Sequence, residues 1–239
     1  MTGPLEGTRV IEVATWMFVP AAGSVLADWG AAVIKVERPG TGDDTRAFPP
    51  FVSGESAYFA TLNAGKQSIA LDLKSTADRA VFDRLLARAD VVLENYRPGV
   101  MDRLGYGFDA LHKTHPRLVY GAVSGFGHTG PEAGKPAYDM VVQARGGVMS
   151  ITGEEGGMPT KMGVPIADMT AGMFAAFAIV NALLHRERTG EGQYIDNSMH
   201  GSQVALLTYY AVGYFAPAQR TAVASRRLHA DIRPTHPSR

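Results

Sequence analysis

The sequence predicts an α/β fold, a doubly wound, mostly parallel sheet flanked by helices. Three observations carry this. Short apolar, β-branched runs recur at Arg9–Val13, Ala32–Glu37, Asp90–Glu94 and Arg117–Ser124. Segments of helical spacing lie between them, as at Pro20–Trp29 and Thr76–Ala89. Glycine and proline mark the junctions, as at Gly30 and Pro39-Gly40. Strands that alternate with helices imply parallel βαβ units with right-handed crossovers.

Each element follows from its residues. Arg9–Val13 reads RVIEV, a buried strand. Pro20–Trp29 is a helix, with Pro20 suited to its first turn and Gly30 stopping it. Ala32–Glu37 is the next strand, and Arg38 to Lys66, with Pro49-Pro50 and several glycines, is expected to be a long loop. Ser68–Leu73 is a strand. Thr76–Ala89 is an amphipathic helix with Ala80, Phe82, Leu85, Leu86 and Ala89 on one face. Asp90–Glu94 is a strand, Met101–Leu104 and Phe108–His112 are short helical turns, and Arg117–Ser124 is a strand. Gly125–Pro136 is a loop and Tyr138–Gly146 is helical. Ile166–Arg188 is a long helix ended by Thr189-Gly190, Gln193–Asn197 a strand, and Met199–Phe215 a last apolar helix. Residues 1–215 are expected to form the α/β domain. Residues 216–239 change composition and are expected to be an irregular tail or the start of a second, truncated domain.

Composition excludes several function classes. The 239 residues are 46% hydrophobic and 19% charged, enough apolar matter for a packed core. Lys+Arg and Asp+Glu both number 23, so no global basic field calls for nucleic acid. With no cysteine, disulfide frameworks, Cys-ligated zinc and thiol nucleophiles are out. That usage fits a reducing compartment, and a cytoplasmic location is expected. The start, Met-Thr-Gly-Pro-Leu-Glu, does not read as a signal peptide. The weakly polar run Met169–Leu184 is shorter than the ~20 residues of a membrane span, so a buried helix and no membrane partner are expected.

The first strand–helix turn, Ala14-Thr-Trp-Met-Phe-Val-Pro20, lacks the glycine pattern of dinucleotide sites, and no P-loop or G-x-S-x-G elbow occurs. Histidine spacing gives no metal site, and none is expected. Strand ends do supply cations and polar groups: Arg38, Lys74, the run Asn95-Tyr96-Arg97-Pro98, and Arg103 nearby. Sharing one crevice, they could hold phosphates and stack on a base; apart, they are solvated charges.

Asp168 is the sharpest candidate, at the expected start of the long helix. Aspartate is a strong N-cap, and a helix N-terminus favours its ionised form and lowers its pKa. An ionised, desolvated carboxylate there is also a usable nucleophile toward a thioester carbonyl. Asp139 is a second acid, suited to orienting rather than reacting. Tyr138 is either a hydrogen-bond donor near an acyl group or a half-buried packing residue. His128, in the Gly-rich Ser124–Pro131 loop, is either functional or solvent-facing, and Met162 and Met199 read as core.

Together the motifs resemble the class III CoA-transferase family, the CaiB/BaiF group of formyl-CoA and carnitine CoA-transferases. The matching segments are Pro4–Glu12, Leu26–Gly40 with Gly42-Asp43, Asn63–Leu73, Asp90–Gly99, Ser124–Gly127, Tyr138-Asp139, Gly163–Gly172 and Arg188–Gln193, in family order. The resemblance implies a Rossmann-like large domain and transfer of CoA between an acyl-CoA and a carboxylic acid. CoA and acyl-CoA are then substrates, with no permanently bound cofactor. Asp168 matches the family's nucleophile, which forms an acyl anhydride and then an aspartyl-CoA thioester; Tyr138 matches an active-site tyrosine. Arg38, Lys74, Asn95, Tyr96 and Arg103 match positions lining the CoA site. Family members are interlocked homodimers.

Met17 stands where some members carry glutamine, so the substrate class does not transfer. The family continues into a small domain, and nothing after Phe215 is expected to match it. A racemase branch carries histidine at the Tyr138 position, which favours transferase here. A non-catalytic CoA-binding remnant is the third reading.

Overall fold

The computed structural model describes residues 3–154 and 156–215. In chain order they form β1 (Arg9–Val13), α1 (Phe18–Asp28), β2 (Ala32–Glu37), β3 (Phe51–Val52), β4 (Glu55–Ser56), α2 (Ala57–Asn63), β5 (Gln67–Ala70), α3 (Thr76–Leu86), β6 (Val91–Glu94), α4 (Val100–Leu104), α5 (Phe108–Thr114), β7 (Val119–Ser124), α6 (Asp139–Arg145), α7 (Ile166–Thr189), β8 (Tyr194–Ser198), α8 (Met199–Leu206) and α9 (Thr208–Phe215). The main sheet has six strands in the order β5-β2-β1-β6-β7-β8, every pairing parallel. The chain winds outward from β1 through β2 to β5, then restarts at β6 and winds the other way. The strand order therefore reverses between β1 and β6, where such sheets open a crevice at their carboxyl ends.

β1 is central and buried on both faces, which is why it reads as an almost unbroken apolar run. Val10 pairs with Val33 and Val91, and Ile11 with Ile34 and Val92. Alternation sends Val10, Val33, Leu93 and Val123 to the face covered by α1 and α7. Ile11, Val13, Val36, Val92 and Tyr120 face the other side, against Phe82 and Leu86 of α3 and Leu111 of α5. Gly172 sets the closeness of α1 and α7, because a Cβ there would lie 2.6 Å from the Phe18 carbonyl oxygen. Alanines 22, 171 and 175 complete this small-residue contact.

α7 has 24 residues and is long and apolar enough to cross a membrane by length and composition, but half of its most apolar window is buried inside the fold. Its apolar character serves the core beneath it.

The 38–66 segment is not the expected loop. Asp43 accepts from the Thr45 N–H at 2.9 Å and starts a 3-10 turn, Asp44–Ala47. β3 and β4 form a small antiparallel hairpin, turned through Ser53 and Gly54 at positive φ. Ser56 then accepts from the Phe59 N–H and caps α2. These short polar caps leave no hydrophobic period, so the sequence pattern hid them. The expected single helix from Met199 to Phe215 is two, broken at Leu207: α8 buries Met199, Ser202 and Gln203, and α9 buries nothing. The irregular tail or second domain expected at residues 216–239 lies outside the described residues.

Under α1 lies a cluster of buried charges. Lys35 Nζ contacts Glu12 Oε1 and Asp43 Oδ2, both at 2.9 Å, and donates to the Ala14 carbonyl at 2.8 Å. Lys66 Nζ reaches Glu12 Oε2 at 2.8 Å. Gly23 of α1 is glycine because a Cβ there would lie 1.9 Å from Glu12 Oε2. Gly23→Ala is expected to cost about 1–3 kcal/mol in urea unfolding, the usual penalty of overpacking. An unchanged midpoint would mean that Glu12 has room to move aside.

Candidate active site

The crevice at the strand-order reversal is built by two turns that hold each other. After β1, the Thr15 N–H donates to Asn95 Oδ1 at 3.1 Å, and Asn95 Nδ2 donates back to the Thr15 carbonyl. Trp16 follows with φ 70°, a backbone conformation rare for a side chain of its size. Its N–H is held by Asp43 Oδ1 at 3.2 Å. After β6, the Tyr96 N–H donates to Glu94 Oε2 at 2.7 Å. These bonds turn Met17, Phe18, Asn95 and Tyr96 into one wall of a cavity of about 370 Å3. Tyr138, Asp139, Asp168 and Met199 line it too.

Asp168 is not the helix cap. The N-cap position of α7 is Pro165, and Asp168 sits inside the first turn. The capping acceptor comes from α6: Asp139 Oδ1 takes the N–H of Ala167 at 2.8 Å and of Asp168 at 3.3 Å. Its other oxygen accepts from Gln143 Nε2 at 2.6 Å, and Gln143 Oε1 accepts from the Met162 N–H. Asp139 is thus committed to structure. Among the described residues no hydrogen-bond donor reaches the Asp168 carboxylate. Burial, and then the Asp139 charge, push the Asp168 carboxyl up to about 7. The expected lowering is reversed because burial and the Asp139 charge outweigh the favourable field of the helix end.

Tyr138 borders the same cavity but is 68% exposed, so half-buried packing does not describe it. Met199 is both core and cavity wall. Tyr58 of α2 also lines the cavity. It lay in the segment expected to be loop, and no signal short of the Ser56 cap would have found it. Arg97 and Lys135 bring cations to the same cavity.

A second cavity, of about 260 Å3, adjoins along the strand ends, lined by Arg38, Pro39, Leu71, Lys74, Leu104 and Tyr96. Tyr96 borders both cavities. Arg38, Lys74, Asn95 and Tyr96 are thereby brought together; Arg103 lines neither cavity and lies on the exposed side of α4. Arg38 pairs with Asp44 at the surface. Glu37, beside this cavity, is spent: burial would raise it, but hydrogen bonds from Arg46 and Ser68 outweigh that and hold its carboxyl at about 2. Among the described residues no group of acids and histidines converges as a metal site.

The model of CoA-transferase family III matches residues 5–237. The match runs past Phe215, where no continuation was expected. The chain is 45% identical over 226 residues to an acetyl-CoA:oxalate CoA-transferase of Acetobacter aceti, covering 94% of this chain and 58% of that protein. It is 42% identical over 232 residues to a succinyl-CoA:glutarate CoA-transferase of Mus musculus, covering 97% and 53%. A CAIB/BAIF family protein from Brucella suis superposes with a TM-score of 0.88 at 41% identity, over 92% of this chain and 59% of that one. The chain thus spans about half the length of the curated relatives it matches.

The raised Asp168 carboxyl has a signature in stability. The native state holds this proton more tightly than the unfolded chain, so stability falls as pH rises from the ordinary carboxyl range through about 7. Asp168→Asn cannot ionise and escapes the loss. Its melting temperature relative to wild type is expected to climb by roughly several degrees between about pH 5 and about pH 8. A pH-independent difference would show that Asp168 ionises freely. Asp139→Ala is expected to destabilise by about 1–2 kcal/mol through loss of the cap, read by urea unfolding.

Proposed function

Because the chain belongs to CoA-transferase family III, we propose that it carries the CoA-binding, nucleophile-bearing part of an acyl-CoA:carboxylate CoA-transferase. The observation that carries this reading is the pair of adjoining cavities at the strand-order reversal, with Asp168 at one end, Arg38 and Lys74 at the other, and Tyr96 between. The nucleotide and phosphate end of CoA lies by Arg38 and Lys74, where guanidinium and ammonium groups meet phosphate. Tyr96 and Asn95 line the path of the pantetheine arm toward Asp168.

In the reaction, a carboxylate oxygen of Asp168 attacks the acyl carbon of the donor thioester. The carbon–sulfur bond breaks and CoA leaves as thiolate, giving a mixed anhydride. The thiolate then attacks the Asp168 carbonyl carbon and releases the donor acid, giving an aspartyl-CoA thioester. The acceptor carboxylate repeats the two exchanges in reverse, and Asp168 returns as carboxylate. Tyr138, beside Asp168, supplies a hydroxyl donor to the acyl oxygen as charge develops.

Both relatives are named for a dicarboxylate acceptor, oxalate or glutarate. Arg97 and Lys135 suit such an acceptor's second carboxylate, and a short dicarboxylate is the proposed substrate class. A homodimer belongs to the proposal. The racemase alternative needs a second free base beside Asp168, and the neighbouring acid, Asp139, is engaged in capping.

The test is mass spectrometry of the chain incubated with acetyl-CoA or succinyl-CoA and hydroxylamine. A hydroxamate is expected at Asp168 and none in Asp168→Asn. Its rate of formation is expected to rise about tenfold per pH unit below about 7 and then level off, as the carboxylate forms. CoA binding with no adduct would replace this reading with that of a non-catalytic CoA-binding chain. Uptake of deuterium at the α-carbon of a 2-methylacyl-CoA would point to the racemase instead.

A further inference from the structure

A third cavity, of about 210 Å3, is lined by Glu94 at the end of β6, by Tyr120 and Tyr194 at the starts of β7 and β8, and by residues of α4 and α5. It lies on the sheet face opposite α7, since Glu94 alternates with Val92 toward the α3–α5 side while Leu93 points to α7. It shares no lining residue with the two cavities already described.

Its chemistry is one-sided. Glu94, Asp102 and Asp109 bring three carboxylates to the lining, and no lysine or arginine joins them. Phe108, Tyr120, Tyr194 and His128 supply aromatic walls: the Phe108 and Tyr194 rings are 5.1 Å apart, Tyr120 and Tyr194 5.9 Å, and His128 and Tyr194 6.1 Å.

Glu94 is only 2% exposed, and what it does expose faces this space. Its Oε2 accepts from the Tyr96 N–H. Its Oε1 has no hydrogen-bond donor among the described residues; the nearest cation-forming group is His128 Nε2, at 3.9 Å. That nitrogen is itself buried without a partner. The His128 N–H donates to both Asp196 oxygens, at 3.1 and 3.0 Å, which fixes the loop over the cavity. Glu94 thus turns a carboxyl oxygen that meets no protein donor toward the cavity, where an incoming cation can pair with it. Among the described residues no three acids or histidines stand close enough to ligate a metal, so an organic cation fits better than a metal ion.

We propose that this cavity is a second binding site, for an organic cation bearing a guanidinium or primary ammonium group, with Glu94 as counter-ion and the Tyr194 and Phe108 rings as walls. Guanidinium suits it best, since its flat face stacks on aromatic rings while its edge donates to a carboxylate. The same group can arrive on a free small amine or on an arginine side chain of a polypeptide.

Binding is coupled to a proton. Burial, and then the Asp102 charge, push the Glu94 carboxyl up to about 8, although the Tyr96 N–H works against them. His128, Asp109, Tyr120 and Tyr194 are the other titratable groups facing it. A cation must therefore displace the Glu94 proton at neutral pH.

The test is calorimetry of the full 239-residue chain with agmatine, and separately with N-acetyl-arginine amide as the polypeptide stand-in. Each is titrated in two buffers of different ionisation enthalpy. Binding with release of close to one proton is expected. Affinity is expected to rise up to about tenfold per pH unit below about 8 and to flatten above it. Glu94→Gln keeps an acceptor for the Tyr96 N–H and is expected to lose about tenfold or more in affinity, along with the proton release. Asp109→Asn, at an exposed position, is expected to weaken binding severalfold without affecting the fold.

Binding of agmatine supports a small-amine site. Binding of the arginine amide alone supports a polypeptide side chain as the source. Binding of neither, or equal binding by Glu94→Gln, overturns the proposal. The outcome is separable from the transferase reading: Asp168→Asn is expected to keep full cation affinity even where acyl exchange is lost.

Discussion

The first turn of the crevice depends on one buried ammonium. Lys35 is 1% exposed and points from the centre of β2 under α1. Burial alone would strip its charge, but Glu12 and Asp43 outweigh that and keep it raised and protonated. The same contacts bind three pieces of chain together: β1 through Glu12, β2 through Lys35, and the 38–66 segment through Asp43 near its start and Lys66 at its end. Asp43 passes the constraint onward, because its Oδ1 holds the Trp16 N–H. Removing one partner would leave a buried charge uncompensated, at a cost of about 3–5 kcal/mol. The geometry of the first turn thus rests on charges that never meet the solvent.

The carboxylates around the strand ends differ only in what surrounds them. Glu37 has Arg46 and Ser68 and stays ionised well below the usual range. Glu94 has one backbone N–H against deep burial and is pushed the other way. Asp139 and Asp168 divide a single helix end between them. Asp139 takes the backbone donors, and Asp168 is left buried with its carboxyl raised. In the proposed reaction, the same desolvation that costs stability in the folded chain is what makes the aspartate useful as a nucleophile.

Much of the fold could be read from the residues, because burial on both faces forces unbroken apolar strands and the α3 stripe has a helical period. Arg9–Val13 and Ala32–Glu37 fall at the expected positions, and α7 differs by a single residue. The 38–66 segment could not be read this way: its hairpin, 3-10 turn and α2 are held by Asp43 and Ser56 caps and by Ser53 and Gly54, not by periodicity. Of the site, Asp168, Tyr138, Asn95 and Tyr96 share one cavity, and Arg38 and Lys74 meet at its neighbour. Arg103 stays outside both. Tyr58 was hidden by the misread segment, and Met199 by its core-like character.

The sequence by itself determined the parallel α/β class, the strand-end positions of the polar groups and the family resemblance, because these depend on local period and residue order. The tertiary structure alone decided that Asp139 rather than Asp168 caps α7, that the Asp168 proton is held tightly, and that a second, acidic cavity lies under α4 and α5. Those outcomes follow from which distant backbone N–H or buried charge lies within about 3–4 Å of a carboxylate. Residues 28 apart in the chain meet there, and no local pattern encodes the meeting.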